Sequence, residues 1–426
     1  MQFRITPATS LRGSIQLPGD KSISHRYAMI AAVAHGTSRL ENYSTGADCQ
    51  STLGCLRSLG IPIERQNGAV VVHGHGLDGF EASKAQLDAG NSGSTIRMLS
   101  GMLAAQPFET TIGGDESLSR RPMGRIMTPL AQMGATLSAR DGTFPPITIR
   151  GARLKPIRYE PPVASAQVKT CILFAGLHTE GQTSVVEKIP TRDHTEVALR
   201  EFGAEVERSG DVISIHGRPR LEARALRVPG DLSSAAFFLV AANLVPGSSI
   251  RIEGVGLSPS RMALIDWLLM SGARIRVHDV AQTAGEITGT LSVEAQPIAG
   301  GIMEGATTAK LIDEIPVLAV LGAISQKGLT VRDAAELRIK ETDRIATVAD
   351  NMARMGITCH AAEDGFYIPG GQRFRAARLD SFGDHRIAMA FTVAALAADG
   401  ESVIENAEAA SVSFPEFYDT LSLLQQ

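Results

Sequence analysis

The chain has 426 residues, more than one hydrophobic core usually spans, so two domains are expected. Hydrophobic residues make up 44% and charged residues 20%, and the formal charge is −4, a balance that argues against general nucleic-acid or membrane-surface binding. Any cationic site must therefore be local. Four cysteines without metal-ligand spacing point to free thiols in a cytoplasmic protein. The opening Met1-Gln-Phe-Arg-Ile-Thr-Pro7 lacks the apolar stretch of a secretory signal. The apolar runs around Ala235–Ala242 and Ile315–Ile324 are shorter than the roughly 18 residues of a membrane span.

In chain order, the first informative stretch is Leu17-Pro-Gly-Asp-Lys-Ser-Ile-Ser-His-Arg26. Pro18, Gly19 and Asp20 break the preceding strand, and the apolar run that follows predicts a helix. Lys21, Ser22, Ser24 and Arg26 then lie at its N-terminus, where unpaired N–H groups and the helix dipole favour an anion. The plain alternative is a capped helix with two surface cations. Gly90-Asn-Ser-Gly-Ser-Thr-Ile-Arg97 predicts a second such start, with Gly93 allowing close backbone approach. Arg121, in Ser119-Arg-Arg-Pro-Met123, is a further cation, and Pro122 is placed to begin a helix.

Val163-Ala-Ser-Ala-Gln-Val-Lys169 puts Ser165 and Gln167 at a third helix start, with Lys169 deeper in that helix. Thr191-Arg-Asp-His-Thr195 reads as a loop of donors. Asp313 and Glu314 open a very apolar helix; N-capping would explain one carboxylate but not two. Arg338-Ile-Lys-Glu-Thr-Asp-Arg-Ile345 gathers Lys340, Glu341, Asp343 and Arg344, which read alone would be a solvated charge run. Gly383-Asp-His-Arg-Ile-Ala-Met389 places Arg386 at a last helix start, and His385 reads as a structural imidazole.

These starts belong to a repeat of about 70 residues, a spacing measured between the helix starts above. Ala-rich helices alternate with helices ending at Gly60, Gly134, Gly203, Gly272 and Gly356, each placed as a helix C′ glycine before a strand. After each Ala-rich helix a glycine and then a β-branched strand are predicted, at Thr37–Leu40, Thr183–Val186, Ser248–Ile252, Leu329–Val331 and Ser402–Ile404. Six copies of a mixed α/β unit imply two domains of three copies. The Ala-rich helices should be buried, with their N-termini converging on an electropositive cleft between the domains. Lys21, Arg26, Arg121, Lys340, Arg344 and Arg386 are its cations, and Asp313 and Glu341 its candidate acid and base. With no phosphate-loop, dinucleotide or metal-ligand motif, the expected chemistry is proton transfer on an anionic substrate without cofactor or metal.

Taken together these motifs resemble the 5-enolpyruvylshikimate-3-phosphate synthase (3-phosphoshikimate 1-carboxyvinyltransferase) family, from about Leu11 to Phe417. The resemblance implies a two-domain inside-out α/β barrel of six βαβαββ repeats, with the active site in the interdomain cleft. Residues 19–229 would form one domain, and 1–18 with 230–426 the other. It implies that Lys21, Ser22, Arg26, Ser165, Ala166 (through its backbone), Gln167, Arg192, Asp313 and Lys340 hold shikimate 3-phosphate. Lys21, Gly93, Arg121, Gln167, Arg344 and Arg386 match the phosphoenolpyruvate positions.

In the family reaction the substrate 5-hydroxyl adds to C2 of phosphoenolpyruvate as C3 is protonated, and loss of a C3 proton then expels phosphate. Asp313 fits the base for the hydroxyl, Glu341 the group exchanging the C3 proton, and Lys21 stands near. Val412 stands where some members have a lysine, so one cation is missing or supplied from elsewhere. Met98 replaces a proline found in others. Gly93, alanine in many herbicide-tolerant members, leaves room for glyphosate as an inhibitor. A monomer is expected. The related UDP-N-acetylglucosamine enolpyruvyl transferases have Lys-Asn where Lys21-Ser22 stands and a reactive cysteine absent here between Cys55 and Cys171. A non-catalytic anion binder would have no use for both Asp313 and Glu341.

Overall fold

A computed structural model describes residues 1–425. They divide into two compact units, one running Gly19–Val228 and the other comprising Met1–Pro18 together with the chain from Pro229 onward.

The Gly19–Val228 unit contains helices α1 (Lys21–Ala32), α2 (Ala47–Ser58), α3 (Gly93–Leu103), α4 (Gly124–Met133), α5 (Ala166–Gly176) and α6 (His194–Glu201). The other contains α7 (Leu232–Leu244), α8 (Ala263–Met270), α9 (Gly305–Leu311), α10 (Ile315–Ile324), α11 (Arg344–Arg354), α12 (His385–Ala395) and α13 (Phe417–Ser422). None of these helices is long and apolar enough to cross a membrane.

Among the described residues each unit has three small sheets; five of the six share one four-strand order, and the sheet of Arg378–Asp380, Ser402–Glu405 and Gln2–Ile5 has its first three strands only. In the sheet of Leu87–Asp88, Glu109–Gly113, Phe144–Arg150 and Thr136–Arg140, the first pair is parallel and the others antiparallel. That is a βαβαββ unit, with α3 and α4 as its two helices. The same order recurs in Arg158–Tyr159, Gln182–Val186, Val212–His216 and Val206–Ser209. Chain closure completes the outer copies. Ala225–Arg227, at the end of its unit, pairs parallel with His35–Glu41, and the N-terminal strand Gln2–Ile5 pairs antiparallel with Ser402–Glu405.

The helices that begin with the polar motifs are the buried ones. All thirteen residues of α7 are buried, as are nine of the ten in α10. Small residues let these helices approach closely: a Cβ on Gly101 of α3 would lie 2.1 Å from the Cys171 carbonyl oxygen of α5. Phe238 on α7 meets Phe414 and Phe417 at centroid distances of 6.1 and 5.8 Å, and truncating such a ring to alanine costs about 3–5 kcal/mol. The five glycines after the other helix type have φ between +74° and +111°, the left-handed conformation that ends a helix.

Two local expectations changed. The strand Glu109–Gly113 follows α3 without the glycine signal, the turn being made through Gln106 and Pro107. Pro122 does not begin a helix; α4 starts two residues later, at Gly124.

Candidate active site

Five of the six buried helices start the same way. Asp20, Ser92, Ser165, Asp231 and Asp384 precede α1, α3, α5, α7 and α12, and each side chain accepts a hydrogen bond from a backbone N–H in the first turn. The exception is α10, where Glu314 occupies the cap position without making the bond. Capping therefore does not account for Glu314.

In the Gly19–Val228 unit the starts of α1, α3 and α5 are tied together. Lys21 Nζ lies 2.9 Å from Asp48 Oδ2 on α2. Arg192 donates to Ser22 Oγ at 3.3 Å. Arg26 is buried, and its guanidinium reaches the Ser22 carbonyl at 2.8 Å, Thr170 Oγ1 at 2.9 Å and Thr195 Oγ1 at 2.7 Å. It therefore braces α1 against α5 and α6. Gln167 links α5 to α3, accepting from Arg97 Nη1 at 2.8 Å and donating to Ser94 Oγ at 2.9 Å. Ala166 is the first residue of α5. Arg121 donates to Asn91 Oδ1 at 2.8 Å and Ser117 Oγ at 3.1 Å. A Cβ on Gly93 would meet Arg97 Nη1 at 2.8 Å and Arg121 Nη1 at 3.4 Å, so this turn lies against two guanidinium groups.

Beneath the helix starts His25 Nδ1 lies 2.7 Å from Thr52 Oγ1, which is 2.7 Å from Thr95 Oγ1, joining α1, α2 and α3. Burial, reinforced by the charges of Lys21 and Arg26, holds the His25 imidazole well below its ordinary pKa.

The other unit builds its site around Arg344, which is buried at the start of α11. Arg344 pairs with Asp384 (Nε–Oδ2 2.8 Å), with Glu341 (Nη2–Oε2 2.6 Å) and, at 3.8 Å, with Asp313. Burial alone would lower its pKa, yet Asp384 and Glu341 hold it above the ordinary value, so the guanidinium is a fixed positive charge. Lys340 Nζ lies 3.4 Å from Asp313 Oδ1. Arg386 Nη1 is 3.8 Å from Glu314 Oε1, which also accepts from Ser233 Oγ and faces Arg261 at 3.5 Å.

Each unit thus gathers its own share of the predicted residues. Lys21, Ser22, Arg26, Gly93, Arg121, Ser165, Ala166, Gln167 and Arg192 lie in the Gly19–Val228 unit, and Asp313, Lys340, Glu341, Arg344 and Arg386 in the other. Sequence reasoning missed Asp48 and Arg261, which stand outside the repeated motifs, and did not single out Arg97, which closes the Gly90–Arg97 motif. Asp384 could have been found from its position, since the aspartates of Gly19-Asp20, Gly230-Asp231 and Gly383-Asp384 all occupy cap positions.

The fold is that of the enolpyruvyl transferases: the solved enolpyruvyl transferase NikO from Streptomyces tendae superposes with a TM-score of 0.79 at 19% identity, over 99% of this chain and 96% of that one. The family model for EPSP synthase (3-phosphoshikimate 1-carboxyvinyltransferase) matches residues 5–421, and the chain belongs to that family. A 3-phosphoshikimate 1-carboxyvinyltransferase of Solibacter usitatus (strain Ellin6076) is 63% identical over 426 residues, covering all of both chains. A second, from Koribacter versatilis (strain Ellin345), is 50% identical over 98% of each. The structure of EPSP synthase from Acinetobacter baumannii matches with a TM-score of 0.88 at 41% identity, over 100% of this chain and 98% of that one.

Proposed function

We propose that this chain transfers the enolpyruvyl group of phosphoenolpyruvate to the 5-hydroxyl of shikimate 3-phosphate by addition and elimination, with the two sets of residues serving one reaction. The observation that carries the catalytic half is the pair of carboxylates, Asp313 and Glu341, held on one buried guanidinium, Arg344. Asp313 takes the proton of the attacking hydroxyl, and Glu341 exchanges the proton at C3 of the enolpyruvyl group. Lys21 assists near the reacting carbon. Fixed cations stabilise the charge that develops, and their pairing with Asp48, Glu341 and Asp384 keeps them from reorganising during the step.

Ser22, Arg26, Ser165, Ala166, Gln167 and Arg192, with Asp313 and Lys340, hold shikimate 3-phosphate. Gly93, Arg121, Gln167, Arg344 and Arg386 hold phosphoenolpyruvate. Glyphosate competes with phosphoenolpyruvate because Gly93 carries no methyl group. The family resemblance implies a monomer, and the four free cysteines fit a cytoplasmic location. The test is phosphate release from phosphoenolpyruvate by the purified protein. It should require shikimate 3-phosphate; release independent of that acceptor overturns the proposal.

A further inference from the structure

We propose that Lys169 is a positioning residue for shikimate 3-phosphate, fixing the start of α6 and the Arg192 loop against α5 through a buried charge cluster. This rests on the assignment of Ser22, Ser165 and Arg192 to that substrate. Lys169 stands in the first turns of α5 and is 1% exposed. Its Nζ lies 2.8 Å from Glu196 Oε1 on α6 and 2.9 Å from Glu187 Oε1, just after the strand Gln182–Val186. Both carboxylates are buried. Glu187 also accepts from the hydroxyl of Thr191, the residue before Arg192.

The sequence neighbours of this cluster form the seat of Arg26. Thr170 follows Lys169, Thr195 precedes Glu196, their hydroxyls lie 2.6 Å apart, and both receive Arg26. One ammonium therefore holds three segments that carry, or directly brace, the residues assigned to this substrate.

A position so buried would ordinarily carry an apolar side chain, since a buried ammonium is tolerated only when well paired. Here it separates two carboxylates that would otherwise repel one another. Arg208, partly exposed and 3.5 Å from Glu187 Oε2, reaches only one of them. Without Lys169 the pair moves apart, taking Thr191, Arg192 and Thr195 with it. Asp313 and Glu341 belong to the other unit, so the loss falls on substrate affinity rather than on the chemical step.

The experiment is steady-state kinetics of the full chain with each substrate varied. Lys169→Met should raise the KM for shikimate 3-phosphate by roughly tenfold, a loss of about 1.4 kcal/mol of binding, with smaller changes in kcat and in the KM for phosphoenolpyruvate. Adding Glu196→Gln to that variant removes one of the two facing charges and should recover most of the lost affinity, which a merely structural role would not. Should Lys169→Met fail to fold, Glu187→Gln carries the test, raising the same KM by weakening the anchor of Thr191. An unchanged shikimate 3-phosphate KM, equal changes in both KM values, or no recovery in the double variant overturns the inference. Ser22→Ala probes the underlying assignment separately. If it leaves that KM unchanged, the assignment fails; if it raises the KM while Lys169→Met does not, this inference alone fails.

Discussion

Arg344 and Asp384 form a buried two-point ion pair, Nε–Oδ2 at 2.8 Å and Nη2–Oδ1 at 3.1 Å, in which the carboxylate also caps α12 through the Arg386 N–H. One aspartate thus sets the position of two of the three arginines assigned to phosphoenolpyruvate, Arg344 and Arg386. Asp384→Asn keeps an N-cap but removes the charge that compensates Arg344. Because neither partner is more than 2% exposed, we expect a stability loss of about 3 kcal/mol in urea denaturation, together with a raised KM for phosphoenolpyruvate. An unchanged midpoint would show that Glu341 alone neutralises Arg344.

Gly93→Ala should fold well. Gly93 is the first residue of α3, where alanine is the better helix former, so the backbone gains up to about 1 kcal/mol. The new methyl group meets the end of the Arg97 side chain at 2.8 Å, and Arg97 has to move, disturbing its bond to Gln167. The KM for phosphoenolpyruvate should rise severalfold, and the inhibition constant for glyphosate by more, since both crowd the same turn. Equal sensitivity of the two proteins to glyphosate would remove Gly93 from that role.

The repeat was legible because its punctuation is local. A C′ glycine forced to positive φ, or an aspartate or serine in front of an Ala-rich run, needs no distant partner to declare itself. Where the punctuation differed, the reading stopped: Glu109–Gly113 follows Pro107 rather than a glycine. Contacts over long sequence separations were hidden for another reason. Gln2–Ile5 finds Ser402–Glu405 only by closure of the chain, and the side-chain partners of Lys21, Arg26 and Lys169 lie 27, 144 or 169, and 18 or 27 residues away. Glu314 shows the limit most clearly. Its position suggests a cap, and only the arrival of Ser233, Arg261 and Arg386 gives it a different task.

The two carboxylates on Arg344 should separate kinetically. Asp313→Asn removes the base for the hydroxyl proton and should lower kcat by about 10²–10⁴-fold, the range typical of general acid–base catalysis. Glu341→Gln should lower kcat comparably and, in deuterated solvent, suppress incorporation of deuterium at C3 of phosphoenolpyruvate. Mass spectrometry of recovered phosphoenolpyruvate reads this directly. Undiminished exchange in Glu341→Gln would transfer that proton to Asp313 or Lys21.

His178 makes stability depend on pH. It is buried just after α5, and neither ring nitrogen has a hydrogen-bond partner. Burial lowers its pKa from 6.5 to about 4, with Asp78 opposing the shift and Arg218 adding to it. The unfolded chain therefore binds this proton more readily than the folded one. The stability from keeping the ring neutral is complete above pH 6.5 and is lost as pH falls towards 4. At about 1.4 kcal/mol per pH unit, that is up to about 3 kcal/mol. His178→Leu removes the titration without leaving a polar partner behind. Urea midpoints at pH 7.5 and 4.5 should fall less for this variant than for the unchanged protein, since the remaining groups, His25 included, contribute equally to both. Equal losses would place the titrating group elsewhere.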